Sequence, residues 1–326
     1  MRPSRQLDTV LFLQKPELLR AHSEVVSRAI TDAFPGTRVV ACGAAREVPS
    51  GACFDAVIAP TLPWLPEALA RLGRYDWVHF LSAGVEKIWD MPFRKDDVLL
   101  TKSSGIHGVA MAEFALGAML YFAKSFDRFV EQARQGVWQR TWLDELAGRT
   151  VVILGMGHIG SEVARCATNF GMNVIGVQRT SRDEADSATL VPVQRLGEVL
   201  PGANYLVVCL PLTPETKNLV SENVLRRLPR GATLVDISRG GVVSESAVLH
   251  LLKSGHLRGA ALDVFEQEPL PAESGLWRHP KVLLTPHVSG TNPHYMERAM
   301  DVFIANARCV TAGDAPLTPV DTERRY

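Results

Sequence analysis

The feature that most constrains this 326-residue chain is an alternation between short, almost unbroken apolar runs and longer stretches with helical spacing. A first set of runs comprises "TVLFLQ" (9–14), "TRVVAC" (37–42), "DAVIAP" (55–60), "WVHFL" (77–81) and "VLLT" (98–101). A second comprises "TVVILG" (150–155), "NVIGVQ" (173–178), "YLVVCL" (205–210), "TLVDIS" (233–238), "GAALDV" (259–264) and "VLLTPH" (282–287). Runs without polar alternation fit strands buried on both faces, and strands separated by helices fit parallel sheets. The chain is also longer than one core usually supports. Two doubly wound α/β domains with a cleft between them are therefore expected. The longest helix-compatible segment, 108–138, joins the two sets, and another at 295–313 follows the second set and can return the chain to the first domain. The boundaries then fall at 1–104 plus 293–326 for one domain and 105–292 for the other.

Within the second set, Gly155, Gly157 and Gly160 form a GxGxxG between the strand-like "TVVIL" and the helix-like "SEVARCATNFG". The pattern alone is weak, since an ordinary tight turn would also use glycine. Its setting gives it meaning: the first glycine permits the turn, the second lets backbone approach a pyrophosphate, and the third allows close helix–strand packing. The helix N-terminus adds free N–H groups and a positive dipole end. This makes 105–292 the dinucleotide-binding domain and leaves the other as the substrate domain. Met156, His158 and Ile159 between the glycines, and Cys209 and Pro211 after the third strand of the set, are counted with the cofactor contacts. The next strand ends in Gln178, followed by Arg179, Thr180, Ser181 and Arg182. An Asp or Glu there would bind the ribose hydroxyls of NAD, whereas guanidinium groups hold a 2′-phosphate. NADP(H) is thus the expected cofactor, with NAD(H) the alternative if Arg179 only faces water.

Three later motifs end in polar residues. "VDISRGGVV" carries Arg239, "ALDVFEQEPL" carries Asp263 and Glu268, and "LLTPHVSG" carries His287. Singly, each has an ordinary reading: a surface ion pair, a turn carboxylate, a satisfied buried histidine. Together, at the carboxyl ends of strands in one parallel sheet, they sit where such sheets form a ligand crevice.

At these residues the sequence resembles the D-isomer-specific 2-hydroxyacid dehydrogenase family, through "LSAGVEKI", "SSGIHGVAMAEFALGAML", "ELAGRTVVILGMGHIG", "CLPLTPETKNLV", "DISRGGVV", "ALDVFEQEP" and "TPHVSG". The resemblance implies a Rossmann nucleotide domain beside a flavodoxin-like one. It also implies that Arg239 binds the substrate carboxylate and polarises the carbonyl, that His287 is the acid/base, and that Glu268 pairs with it. Asp263 then lies near the nicotinamide carboxamide, and the backbone of Ala83, Gly84 and Val85 receives the substrate carboxylate. Two departures stand out: Asp236 where the family often has Asn, and Gln178-Arg179 in place of the acidic strand end, as in members resembling NADPH-dependent glyoxylate and hydroxypyruvate reductases. The chemistry agrees with the side chains. Reduction of a 2-oxo acid puts negative charge on the carbonyl oxygen, which protonated His287 can neutralise while Glu268 orients the ring and Arg239 adds a fixed cation.

A dinucleotide-sensing regulator of the same fold is the reading from another class, disfavoured by the lack of long interaction-bearing tails. The balance of 35 basic and 35 acidic residues gives no pull toward nucleic acid. No run approaches a membrane span, "VLFL" is too short for a signal peptide, and the scattered cysteines read as free thiols of a cytoplasmic protein. The histidines show no metal-ligand spacing. Trp64, Leu65, Trp89, Trp142 and Tyr295 are candidates to line a substrate pocket or to pack in cores. A homodimer is expected from the resemblance and from the apolar excess of "AEFALGAMLYFAKSF" (112–126).

Overall fold

The structure is a computed structural model that describes residues 6–179 and 188–322. The chain divides into two compact units, one of residues up to Ile106 together with those from Asn292, the other His107–Thr291.

In the first unit, five parallel strands stand in the order β2-β1-β4-β6-β7: β1 (Thr9–Leu13), β2 (Arg38–Cys42), β4 (Ala56–Ala59), β6 (Trp77–Phe80) and β7 (Leu99–Lys102). A pair of two-residue strands, β3 (Cys53–Phe54) and β5 (Arg74–Tyr75), lies apart from this sheet. The order is that of a flavodoxin-like fold. Alternate residues divide between two cores: Val10, Phe12, Ala56, Ile58 and Trp77 serve one face, and Leu11, Leu13, Val57, Ala59, Val78 and Phe80 the other. Helix α1 (Pro16–Ala33) packs on the first face against the last helix, α9 (Tyr295–Ala312), and α2 (Leu65–Ala70) packs on the second. Phe303 of α9 stacks on Trp77 with ring centroids 4.9 Å apart. Beside it, the fully buried His79 bonds to Thr101 Oγ1 (2.7 Å) and Ser103 Oγ (3.0 Å), and burial pushes its pKa down to about 3. That histidine is a neutral structural group.

The second unit holds a seven-stranded, all-parallel sheet in the order β10-β9-β8-β11-β12-β13-β14. Its strands are β8 (Thr150–Leu154), β9 (Asn173–Gln178), β10 (Thr189–Pro192), β11 (Tyr205–Val208), β12 (Ala232–Asp236), β13 (Leu257–Leu262) and β14 (Val282–Leu284). The order reverses between β8 and β11, the switch point at which doubly wound sheets bind their ligands. Val152, Leu154, Leu206, Val208 and Leu234 face one core, and Val151, Ile153, Val207, Val235 and Ala261 the other. Helices α3 (Gly108–Ala123), α4 (Phe126–Gln135) and α5 (His158–Asn169) precede or follow β8, with short α6 (Leu196–Val199) and α7 (Glu222–Leu225) and then α8 (Glu245–Lys253) on the other side. Ser244 caps α8 by accepting from the Ala247 N–H.

Two local expectations change. The helix-compatible segment 108–138 breaks at Ser125, whose φ of 51° is left-handed, and α3 and α4 diverge by 59°. The apolar residues of 112–126 are mostly spent inside the unit: Ala112, Ala115, Leu116, Ala118, Met119, Phe122 and Ala123 are buried. Exposed apolar surface lies further on, at Phe126, Val130, Val137, Trp138, Trp142 and Leu143. No single helix among the described residues is long and apolar enough to cross a membrane.

Candidate active site

The glycine loop leaves the carboxyl end of β8. Gly155 has φ +106°, and a Cβ on it would lie 2.9 Å from the Cys209 carbonyl oxygen. A Cβ on Gly160 would meet the Gly155 oxygen at 1.9 Å. Both positions therefore exclude any side chain. Gly157 differs, because a Cβ there would meet nothing within 4 Å. It is the N-cap of α5, no side chain caps that terminus, and its first turn has no acid. A helix start with open space and uncapped N–H groups fits a pyrophosphate. His158 is exposed, whereas Met156 and Ile159 are partly buried and pack on the core. Cys209 and Pro211 follow β11 and are half-buried; burial pushes the Cys209 thiol up, and the Pro211 carbonyl accepts from Thr216 Oγ1 at 2.7 Å.

At the end of β9, Gln178 Nε2 is buried with no hydrogen-bond partner among the described residues, and Arg179 beyond it is exposed. Thr180 and Arg182 lie outside the described residues. The Arg179 charge acts on exposed Glu215, whose carboxyl is held below its usual range first by a Thr213 hydrogen bond and further by that guanidinium.

Glu268, His287 and Asp263 are brought together by the backbone. His287 Nδ1 lies 2.9 Å from Glu268 Oε2 and 3.1 Å from Oε1, and Oε1 also accepts from the Phe265 N–H at 3.2 Å. His287 has φ +54°, a conformation that non-glycine residues rarely adopt. Asp263 holds it there. This fully buried carboxylate accepts from Thr285 Oγ1 (2.7 Å), the Val288 N–H (2.9 Å) and the Ser289 N–H (2.9 Å). The Asp263 carbonyl accepts the His287 N–H, also at 2.9 Å. Strain of order 1–3 kcal/mol is kept only where neighbours over-determine the geometry, and it clusters at functional positions. Arg239, half-buried, donates through Nη1 to the Ser238 carbonyl at 2.8 Å. Next to it a Cβ on Gly240 would meet the Phe265 oxygen at 1.7 Å, so this glycine seats the Arg239 segment directly on the segment that carries Glu268.

In the first unit, Ala83, Gly84 and Val85 follow β6 and lead into a 3₁₀ turn, Glu86–Asp90. Val85 is buried, and neighbouring Ser82 has a buried hydroxyl without a partner. Leu65, Trp64 and Trp89 belong to that unit's core, Tyr295 donates its hydroxyl to the Leu81 carbonyl at 2.7 Å, and Trp142 is exposed.

Residues 116–289 match the model of the NAD-binding domain of D-isomer specific 2-hydroxyacid dehydrogenases. The chain belongs to the D-isomer specific 2-hydroxyacid dehydrogenase family. It is an NAD(P)-dependent oxidoreductase of that family. A glyoxylate/hydroxypyruvate reductase A of Serratia proteamaculans is 33% identical over 275 residues, covering 81% of this chain and 87% of the relative. A D-isomer specific 2-hydroxyacid dehydrogenase of Xanthobacter autotrophicus, solved with NADPH and MES, superposes with a TM-score of 0.84 at 30% identity and covers 98% of this chain and 99% of the other. An NADPH-dependent glyoxylate/hydroxypyruvate reductase of Sinorhizobium meliloti, solved with NADP and sulfate, gives 0.83 at 27% identity with the same coverage.

Three features of this dehydrogenase's site were not read from its sequence. The Asp263 carboxylate holds the His287 loop, a task in addition to the place near the nicotinamide that the resemblance implies. Gly240 carries a packing contact that the "RGG" motif does not announce. Glu215 lies within charge range of Arg179. Each depends on a partner distant in sequence, which only the folded sheet brings near. Among the described residues, no group of three or more His, Cys, Asp and Glu could hold a metal.

Proposed function

We propose that this dehydrogenase reduces a small 2-oxo acid to the D-2-hydroxy acid, with NADPH as preferred donor. The observation that carries the reading is the His287–Glu268 pair, an imidazole held at Nδ1 by a carboxylate on a locked backbone. The bound nicotinamide supplies the hydride. As charge develops on the carbonyl oxygen, His287 donates a proton from Nε2, the nitrogen opposite the one Glu268 holds. Glu268 keeps the ring oriented and stabilises the imidazolium. Arg239 receives the substrate carboxylate and offsets charge on the carbonyl oxygen. The backbone of Ala83–Val85 is assigned as a second carboxylate contact on the family resemblance alone.

The cofactor preference is supported by what stands at the end of β9. Gln178 is neutral where a carboxylate would repel a 2′-phosphate, and exposed Arg179 supplies a two-pronged cation. One such contact gives roughly a ten- to hundredfold preference. The test is kcat/KM for NADPH and NADH with glyoxylate, hydroxypyruvate and bulkier 2-oxo acids. The Gln178→Asp/Arg179→Ala double variant should reverse the cofactor ratio. A wild-type protein favouring NADH would overturn the NADPH assignment while leaving the reductase reading to the substrate panel. A homodimer formed through the exposed apolar residues of 126–143 belongs to the same proposal.

A further inference from the structure

Arg239 is not oriented by its own side-chain contacts alone. At the end of β12, Asp236 is 3% exposed and Ser238 2% exposed, so neither is a surface residue. Asp236 Oδ1 accepts twice from Ser238, from its N–H at 3.0 Å and from its hydroxyl at 2.5 Å. The Ser238 carbonyl, at the other end of the same residue, accepts from Arg239 Nη1 at 2.8 Å. These two bonds anchor the amide and the side chain of the residue whose carbonyl the guanidinium meets. The guanidinium follows that carbonyl.

A cavity of about 10 Å³, the size of one water, lies among Asp236, Gly240, Gly241 and Glu245. The segment is gripped at its far end by Gly240 on the Phe265 backbone and at its near end by the Asp236 bonds. Between those two grips Ile237 packs in the core, and Ser238 is tied to Asp236 by hydrogen bonds. Asparagine at 236 could still present Oδ1 to both Ser238 donors, whereas alanine could not.

We propose that Asp236 is a positioning residue for the reaction, acting through Ser238 to aim the Arg239 guanidinium at the substrate carboxylate. This rests on the role given to Arg239 above, and the test separates the two. Kinetics of Asp236→Ala, Asp236→Asn, Ser238→Ala and Arg239→Ala, and of the Asp236→Ala/Arg239→Ala double variant, are measured for the 2-oxo acid and for NADPH. The Asp236→Ala change should lower kcat/KM for the oxo acid about ten- to hundredfold, the scale of losing a charge-assisted contact. Ser238→Ala, which keeps the backbone bond, should show a smaller loss of the same kind. Asp236→Asn should restore activity to near wild type, and KM for NADPH should move little in any of them. In the Arg239→Ala background the further loss on Asp236→Ala should vanish, since there is no guanidinium left to aim. Equal losses in both backgrounds, or KM changes shared by oxo acid and NADPH, would overturn the inference and leave Arg239 in place. Near wild-type kcat/KM in Arg239→Ala would overturn both. If Asp236→Ala does not fold, the Ser238→Ala cycle with Arg239→Ala decides the same question.

Discussion

His287 and Asp236 show how differently two polar residues at strand ends can be used. His287 is exposed and strained, and its surroundings serve to present one ring nitrogen. Its replacement by alanine is expected to cost of order 10²–10⁴ in kcat with little change in stability, measured by steady-state reduction alongside thermal melting. An unchanged kcat would remove the histidine from the mechanism. Asp236 is buried, and burial pushes its pKa up from 3.8 to about 7, with Asp263 and Glu245 adding to the rise and the Ser238 bonds opposing it. The folded chain therefore keeps a proton that the unfolded chain has released. The stability this group contributes is complete below about pH 4 and is lost as pH climbs through about 7. Asp236→Asn, which cannot ionise, should match wild type in acid and be the more stable above neutrality, by at most about 4 kcal/mol. Denaturant unfolding at about pH 5 and about pH 8 reads this difference. The pairing of Glu268 with His287 was legible only through the family resemblance, because each residue taken singly has an ordinary reading. Asp263 and Asp236 were visible as letters, but their tasks depend on donors that the fold alone supplies.

At the scale of elements, the parallel strands were legible from apolar runs because both faces of each sheet are covered. The edge strand β10 was not: it is four residues long, ends in Pro192 and, among the described residues, pairs only with β9. The break between α3 and α4 was also hidden, since nothing in "FAKSFDRF" excludes helix. Its reason is tertiary. Turning the chain at Ser125 lets Asp127 meet Arg258 of β13 in a two-pronged pair, with distances of 2.8 and 2.9 Å. The Asp127 side chain is only 9% exposed, and the same guanidinium lies 5.7 Å from the centre of the Phe122 ring. Asp127→Ala leaves a half-buried cation without its carboxylate and should cost about 1–3 kcal/mol. The expected readout is a lower denaturation midpoint with kcat on the oxo acid retained. An unchanged midpoint would mean that α4 is held by its other contacts.

For the whole molecule, the remaining question is what covers the surface of 126–143. Most exposed apolar residues in a folded chain are scattered and need no explanation. Here Phe126, Val130, Val137, Trp138, Trp142 and Leu143 fall within one short stretch, and Trp138 and Trp142 are 97% and 99% exposed. A tryptophan can bury roughly 150–250 Å² of surface, so the two alone approach the largest apolar patch expected on a monomer. Neither contributes to its own unit's core, so burying the two rings requires another surface. A second copy of the chain offers the same stretch, and a twofold contact would pair it with itself. The protein should therefore sediment at about twice 35.7 kDa. The Trp138→Ala/Trp142→Ala variant should shift toward the single-chain mass on dilution. Because both rings stand in solvent within one chain, the unfolding of a separated chain should be unaffected by their loss. A wild-type protein that sediments as one chain at every concentration would refute the dimer and leave the two tryptophans to a different partner.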